Sequence, residues 1–189
     1  MDNSEELIAR HLPAARAQCS QSWSQLIKRF QGPLLAYCTE ITSDREESFD
    51  LTQKTFLRAM RYLHTLREDR KFASWLYSIA RQQSVDYLRR CGRRSKLEAQ
   101  LGRQPSPDAL PRPEETLVKN DETQLAIQLL RDLEPELREP LVLHYLEDFS
   151  LDDIVDIMES PKGTIKSRLH RARKILRTQL EEAHEPAVR

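Results

Sequence analysis

Glycine is scarce in this chain, with four in 189 residues. Tight hairpin turns depend on glycine, and long alternating runs of β-branched residues are missing too. Both absences weigh against a β-sandwich or barrel and for an all-α fold. There is no glycine-rich phosphate loop and no nucleophile motif, so an enzyme has little support. No apolar run approaches the ~20 residues of a membrane span. The start, Met1-Asp2-Asn3-Ser4-Glu5-Glu6, does not read as a signal peptide, so no membrane insertion is expected. The three cysteines, Cys19, Cys38 and Cys91, are far apart and form no Cys-x-x-Cys pair. They read as free thiols in a reducing cytoplasm. His11, His64, His144, His170 and His184 show no metal spacing, and no metal or cofactor is expected. Finally, there is no net charge: 30 basic residues balance 30 acidic ones.

Charge placement says more than that zero. Acids pool between Asp121 and Glu159, and bases concentrate from Arg81 to Lys96 and again after Pro161. From Pro161 to Arg177 there is no carboxylate. This last stretch has a helix-start pattern, with Ser160 as the expected N-cap and Pro161 as the first helical residue. Ile165, Leu169, Ala172 and Leu176 recur at helical spacing and predict one buried stripe. Ser167, His170, Arg171 and Lys174 fall opposite, flanked by Lys166, Arg168 and Arg173. A docked helix with such a cationic outer face suits a DNA major groove, where phosphates attract and side chains reach base edges.

Upstream, Trp23, Leu26, Ile27, Phe30, Leu34, Cys38 and Ile41 form a first helical stripe, with Gly32-Pro33 expected to kink or break it. Phe49, Thr52, Phe56, Met60 and Leu63 form a second. A third runs through Phe72, Trp75, Leu76, Ile79, Ala80 and Tyr87. Residues 20–92 thus predict a three- or four-helix bundle. The stretch 93–120 holds Pro105, Pro107, Pro111 and Pro113 among few large apolar residues, and reads as a flexible linker. Helical periodicity resumes at Asp121, and a helix is expected over 135–147, disturbed by Pro140. Ser150-x-x-Asp153 is a capping box opening a short helix. That helix, the Glu159-Ser160 turn and the basic helix together predict a helix-turn-helix. The expected layout is a domain over 1–92, a linker over 93–120, a second domain over 121–180 and a disordered tail over 181–189.

Two separate segments resemble one family. Asp50-Leu51-Thr52-Gln53-Lys54-Thr55-Phe56-Leu57-Arg58-Ala59, followed by Phe72-Ala73-Ser74-Trp75-Leu76-Tyr77-Ser78-Ile79-Ala80-Arg81, resembles conserved region two of bacterial sigma factors. Gly163-Thr164-Ile165-Lys166-Ser167-Arg168-Leu169-His170-Arg171-Ala172-Arg173 resembles their region four. Two domains on a short linker point to the extracytoplasmic-function subgroup of the sigma-70 family.

The resemblance implies a transcription initiation factor that binds bacterial core RNA polymerase, reads and melts the minus-ten element with its first domain and reads the minus-thirty-five element with its second. It has no catalytic residue of its own. Asp50 and Gln53 would make polar contacts with a coiled coil of the polymerase, with Leu51 and Phe56 as apolar support. Lys54 and Phe49 depart from the family, standing where acids are usual. The loop Leu63–Lys71 would capture an unstacked non-template base. Trp75 is assigned to the core, and Tyr77, taken to point outward, to base stacking. Arg81, Gln82, Arg89 and Arg90, with Arg93 and Arg94, would form a basic ridge for the minus-ten strand, and Asp86 would pair with Arg89 or Arg90. In the second domain Lys166, Ser167, His170 and Arg171 would read bases. Thr164 at the helix start would hold a phosphate, and Arg173 a phosphate or a structural contact. Glu159 stands where the family's turn commonly has glycine. Such factors are often silenced by an anti-sigma partner. The alternative is a conventional dimeric helix-turn-helix regulator with an N-terminal sensor or dimerisation bundle. An adaptor whose basic helix binds an acidic protein ranks below both.

Overall fold

The computed structural model describes residues 2–100, 128–130 and 132–184, and these contain helices and turns but no strand. Four helices build the first unit: α1 (Asp2–Arg16), α2 (Ser20–Thr42), α3 (Arg45–Tyr62) and α4 (Phe72–Gln100). Two 3-10 turns, Leu63–Thr65 and Asp69–Lys71, join α3 to α4. Helix α1 was not foreseen as an element; its Ile8, Leu12 and Ala15 are buried and it packs along α2. Its end is fixed by a Schellman-type turn. Gln18 adopts φ 59°, its N–H donates to Ala15 O at 3.0 Å, and Cys19 N–H donates to Ala14 O at 3.1 Å.

Helix α2 is the centre of this unit and packs on α1, α3 and α4. It runs through Pro33 from Ser20 to Thr42, so the expected break does not occur. A proline removes one ladder bond, and the cost of about 3 kcal/mol is offset by the apolar groups buried on either side of it, Phe30, Leu34, Tyr37 and Cys38. Phe30 meets Phe72 edge-on at 5.6 Å between centroids, and Tyr37 meets Tyr77 at 5.0 Å. Each large side chain so buried stabilises the fold by about 1.5–3 kcal/mol.

On α3 the buried arc is Ser48, Leu51, Thr52, Thr55, Phe56 and Ala59. Phe49 and Met60, expected in the core, are 55% and 39% exposed. Helix geometry explains the shift: at about 100° per residue, both lie beside Gln53 rather than beside Leu51. Asp44 caps α3, its Oδ1 accepting from Glu47 N–H at 3.0 Å. Burial pushes the Cys38 thiol up in pKa, whereas Cys19 and Cys91 are exposed. Helix α4 continues beyond residue 92 as far as Gln100. The rest of the expected linker and the last five residues of the tail lie outside the described residues.

The second unit holds α5 (Pro135–Tyr145), most of α6 (Leu151–Met158) and α7 (Lys162–His184). Pro135 occupies the start of α5, where no N–H is needed, and the helix passes through Pro140 to Tyr145. Ser150 caps α6 by accepting from Asp153 N–H at 3.2 Å, as the capping box predicts. Glu159 then takes φ 50°, ψ 41°, the left-handed conformation that ends α6. Helix α7 begins at Lys162, and Pro161 O accepts from Ile165 N–H at 3.1 Å. Pro161 therefore holds the N-cap position expected for Ser160, which lies one residue further out. Helix α5 packs on α7, with Leu137, Leu141, Ile165, Leu169 and Ala172 all buried.

Candidate nucleic-acid interface

The outer face of α7 follows from its register. Ile165, Leu169 and Ala172 are buried, which leaves Lys166, Ser167, His170, Arg171 and Lys174 exposed on the opposite side. None of the cations among them forms an ion pair with another described residue. The neighbouring cations do have partners. Arg168 Nη2 donates to Glu136 Oε2 at 2.8 Å, which ties α7 to α5, and Lys162 Nζ donates to Asp152 Oδ1 at 2.7 Å. Arg173 Nε donates to Leu169 O at 3.2 Å and its Nη1 reaches Tyr145 Oη at 3.5 Å. Arg173 is thus held close to the domain, while Lys166, His170 and Arg171 project.

The start of α7 presents backbone donors of a different kind. Helix geometry leaves the N–H groups of Lys162, Gly163 and Thr164 without intrahelical acceptors, and all three residues are exposed. A Cβ built on Gly163 would meet nothing within 4 Å, so the fold itself does not require glycine there.

On α4 the exposed residues Gln82, Asp86, Arg89, Arg90 and Arg93 share one face. Arg89 Nη1 lies 3.6 Å from Asp86 Oδ1, so one acid sits within the ridge. Arg81 is half-buried and lies off this line. The side chain of Arg94 falls outside the described residues.

The aromatic residues above the ridge exchange the places assigned to them. Tyr77 is 1% exposed and packs at a tilt against Tyr37 in the core, so it does not point outward. Trp75 is only half-buried. It lies seven residues before Gln82 and fourteen before Arg89, so it continues the basic face. That seven-residue spacing was the signal in the sequence, and alternation of aromatic and apolar residues around Leu76 obscured it.

Helix α3 carries the third surface. Asp50 and Gln53 are exposed, whereas Leu51 and Phe56 are buried in the unit and hold the helix from behind. Phe49, Leu57 and Met60 surround Gln53, with Leu57 66% exposed. Lys54 Nζ lies between two carboxylates, 3.8 Å from Glu47 and 3.9 Å from Asp50. The exposed apolar residues Phe49, Leu57 and Met60 were the part of this surface that sequence patterning missed.

Residues 26–94 match the family model described as Sigma-70 region 2, and residues 123–176 match Sigma-70, region 4. The chain is 26% identical to the ECF RNA polymerase sigma factor SigW of Bacillus subtilis, over 94% of this chain and 99% of that protein. It is 33% identical over 134 residues to the ECF RNA polymerase sigma-E factor of Escherichia coli, covering 67% of this chain and 70% of the other. Among solved structures, the sigma factor RpoE in its complex with the anti-sigma factor NepR from Bartonella quintana superposes with a TM-score of 0.70. That match covers 85% of this chain and 98% of the other, at 24% identity, and shows a shared fold.

Proposed function

The chain belongs to the extracytoplasmic-function branch of the sigma-70 family, and we propose that its three exposed surfaces divide the work of promoter selection between them. As a sigma factor it binds core RNA polymerase and directs it to promoters; a conventional dimeric regulator is not favoured. Sigma factors are transcription initiation factors, and the chemistry remains that of the polymerase.

In the proposed division, the α3 surface docks on the polymerase. Gln53 and Asp50 make the polar contacts, and Phe49, Leu57 and Met60 supply apolar area that would otherwise stay wet. The loop 63–71 and the α4 face handle the minus-ten element. Trp75 takes the stacking role first assigned to Tyr77, because a stacking platform needs an accessible ring face. Gln82, Arg89 and Arg90 follow the strand, with Arg81 at the margin. On α7, Lys166, Ser167, His170 and Arg171 enter the major groove of the minus-thirty-five element, and Thr164 with the first-turn N–H groups holds a phosphate. The observation that carries this last assignment is that Lys166, His170 and Arg171 are exposed with no ion-pair partner among the described residues, while Arg168 and Lys162 are already neutralised.

Each domain alone binds weakly. Held at fixed separation on the polymerase, the two contacts become effectively intramolecular and reinforce each other. The domains are assigned to 1–92 and 121–180 around a linker, with α4 extending into the linker. The protein works in the cytoplasm, where promoter DNA is. An anti-sigma factor that covers the exposed strip of α3 belongs to the same reading.

Gel filtration of the chain with bacterial core RNA polymerase, followed by transcription from a promoter library, tests the proposal. Co-elution with new promoter-dependent transcripts is expected. Tight duplex binding by the chain alone, without co-elution, would favour the conventional regulator.

A further inference from the structure

The segment 63–71 consists of two 3-10 turns around residues 66–68, and it is tied down at both ends. Leu63 and Leu66 are buried at 3% and 6% exposure, Leu66 N–H donates to Leu63 O at 3.2 Å, and Lys71 N–H donates to Glu68 O at 3.0 Å. Between these anchors Arg67, Glu68, Asp69 and Arg70 are exposed. A third tie comes from a distant part of the chain. The guanidinium of Arg16, at the last position of α1, donates through Nη2 to Leu66 O at 3.0 Å and to Asp69 Oδ1. One side chain thus grips the loop on both sides of Arg67 and Glu68, some fifty residues downstream.

Arg16 is itself well placed to act as a fixed point. The turn after it is locked by Gln18 N–H to Ala15 O and Cys19 N–H to Ala14 O. The indole Nε1–H of Trp23 donates to Ala15 O at 3.0 Å, which fastens the end of α1 to the core of α2. Helix α1 also packs directly against the 3-10 turn Asp69–Lys71. The tie therefore joins a rigid corner to a loop of short turns, and both bonds leave the one Nη2, whose two hydrogens lie in the guanidinium plane and set direction as well as distance.

We propose that Arg16 is a positioning residue for base selection: it holds the backbone at Leu66 and the carboxylate of Asp69 so that the loop 63–71 presents one shape to the unpaired base. The proposal rests on the reading of that loop as the base-capturing segment. A pocket discriminates between bases only when its polar groups stay in place, because a mobile loop re-forms around the wrong base at little cost. Arg16 need not touch the base. Its loss lowers discrimination more than it lowers affinity.

The test uses holoenzyme assembled from full-length chain and core polymerase, and a promoter library randomised across both elements. Transcripts are sequenced for the wild type, Arg16→Ala, Arg16→Lys and Asp69→Asn. With Arg16→Ala, preference at one or two minus-ten positions is expected to flatten by about tenfold, the scale of one lost base discrimination. Preference across the minus-thirty-five element should stay as in the wild type. Asp69→Asn should flatten the same positions in part, and Arg16→Lys should fall between, since it keeps the charge without the planar guanidinium. An Arg16→Ala profile equal to the wild type overturns the proposal. So does a uniform loss across both elements, which would make Arg16 a general support of the fold. A wild-type library with no minus-ten preference would instead remove the base-capture reading, and the role of Arg16 with it.

Discussion

Tyr87 Oη donates to Asp44 Oδ2 at 3.0 Å while the other oxygen of the same carboxylate caps α3. One acid thereby joins the long α4 helix to the start of the helix that carries Gln53. The neighbouring Thr42 and Ser48 hydroxyls, 2.8 Å apart, are buried in the same corner. This corner anchors the start of α3, directly before its exposed Phe49 and Asp50.

Asp44→Ala should cost about 1 kcal/mol for the lost cap, with a further loss from Tyr87. Urea unfolding would measure both. Tyr87 has a second signature. Burial, then hydrogen bonds with Cys91 and Asp44, push its phenol above the usual tyrosine value. The folded state thus holds the proton more tightly than the unfolded chain does. This contribution to stability is complete below about pH 10 and is lost as pH rises further. Tyr87→Phe should flatten the alkaline fall in stability; an unchanged slope would mean the phenol is not the group responsible.

Glu159 ends α6 at φ 50°, where a side chain is strained and glycine is not. Glu159→Gly should raise stability by about 0.5–1 kcal/mol, since relief of left-handed strain outweighs the added chain entropy. Differential scanning calorimetry would show it as a higher midpoint for the transition of the second domain.

Gly163→Ala separates folding from binding at the start of α7. The added methyl meets nothing in the protein, so stability should hold or rise. If a phosphate approaches those backbone N–H groups, promoter affinity falls at the same time. Unchanged affinity would place the phosphate elsewhere.

Much of this was legible in the sequence, because local signals there agree with tertiary packing. The Ser150 cap, the carboxylate-free face of α7 and the stripe of Ile165, Leu169 and Ala172 appear where patterning put them, while Leu176, expected in the same stripe, is only half-buried. Failures occurred where two residues competed for one buried site. Trp75 and Tyr77 lie about 200° apart on a helix, so one faces out. Tyr37 on α2 selects Tyr77 as its partner, and a one-dimensional pattern does not reveal that partner. Phe49 and Met60 went astray likewise, since an exposed apolar residue looks like a core residue in a one-dimensional pattern. Helix α1 was missed because its few anchors, Ile8, Leu12 and Ala15, sit among polar neighbours with Pro13 inside.

Arg171→Ala and Lys166→Ala should each weaken minus-thirty-five recognition. A bidentate guanine contact would cost about 1–3 kcal/mol, whereas loss of a phosphate contact would mainly lower the salt dependence, by roughly 0.9 in slope. Titration of holoenzyme onto promoter DNA across a salt series distinguishes reader from anchor.

In the proposed division, docking and reading reside on separate surfaces. Comparing Leu57→Glu with Arg171→Ala for co-elution with core polymerase, each checked for native stability, separates the two. Leu57 is exposed, so the charge should leave folding intact yet abolish co-elution, while Arg171→Ala should co-elute like the wild type. Full co-elution of Leu57→Glu, or its loss in a folded Arg171→Ala, would contradict the division of surfaces.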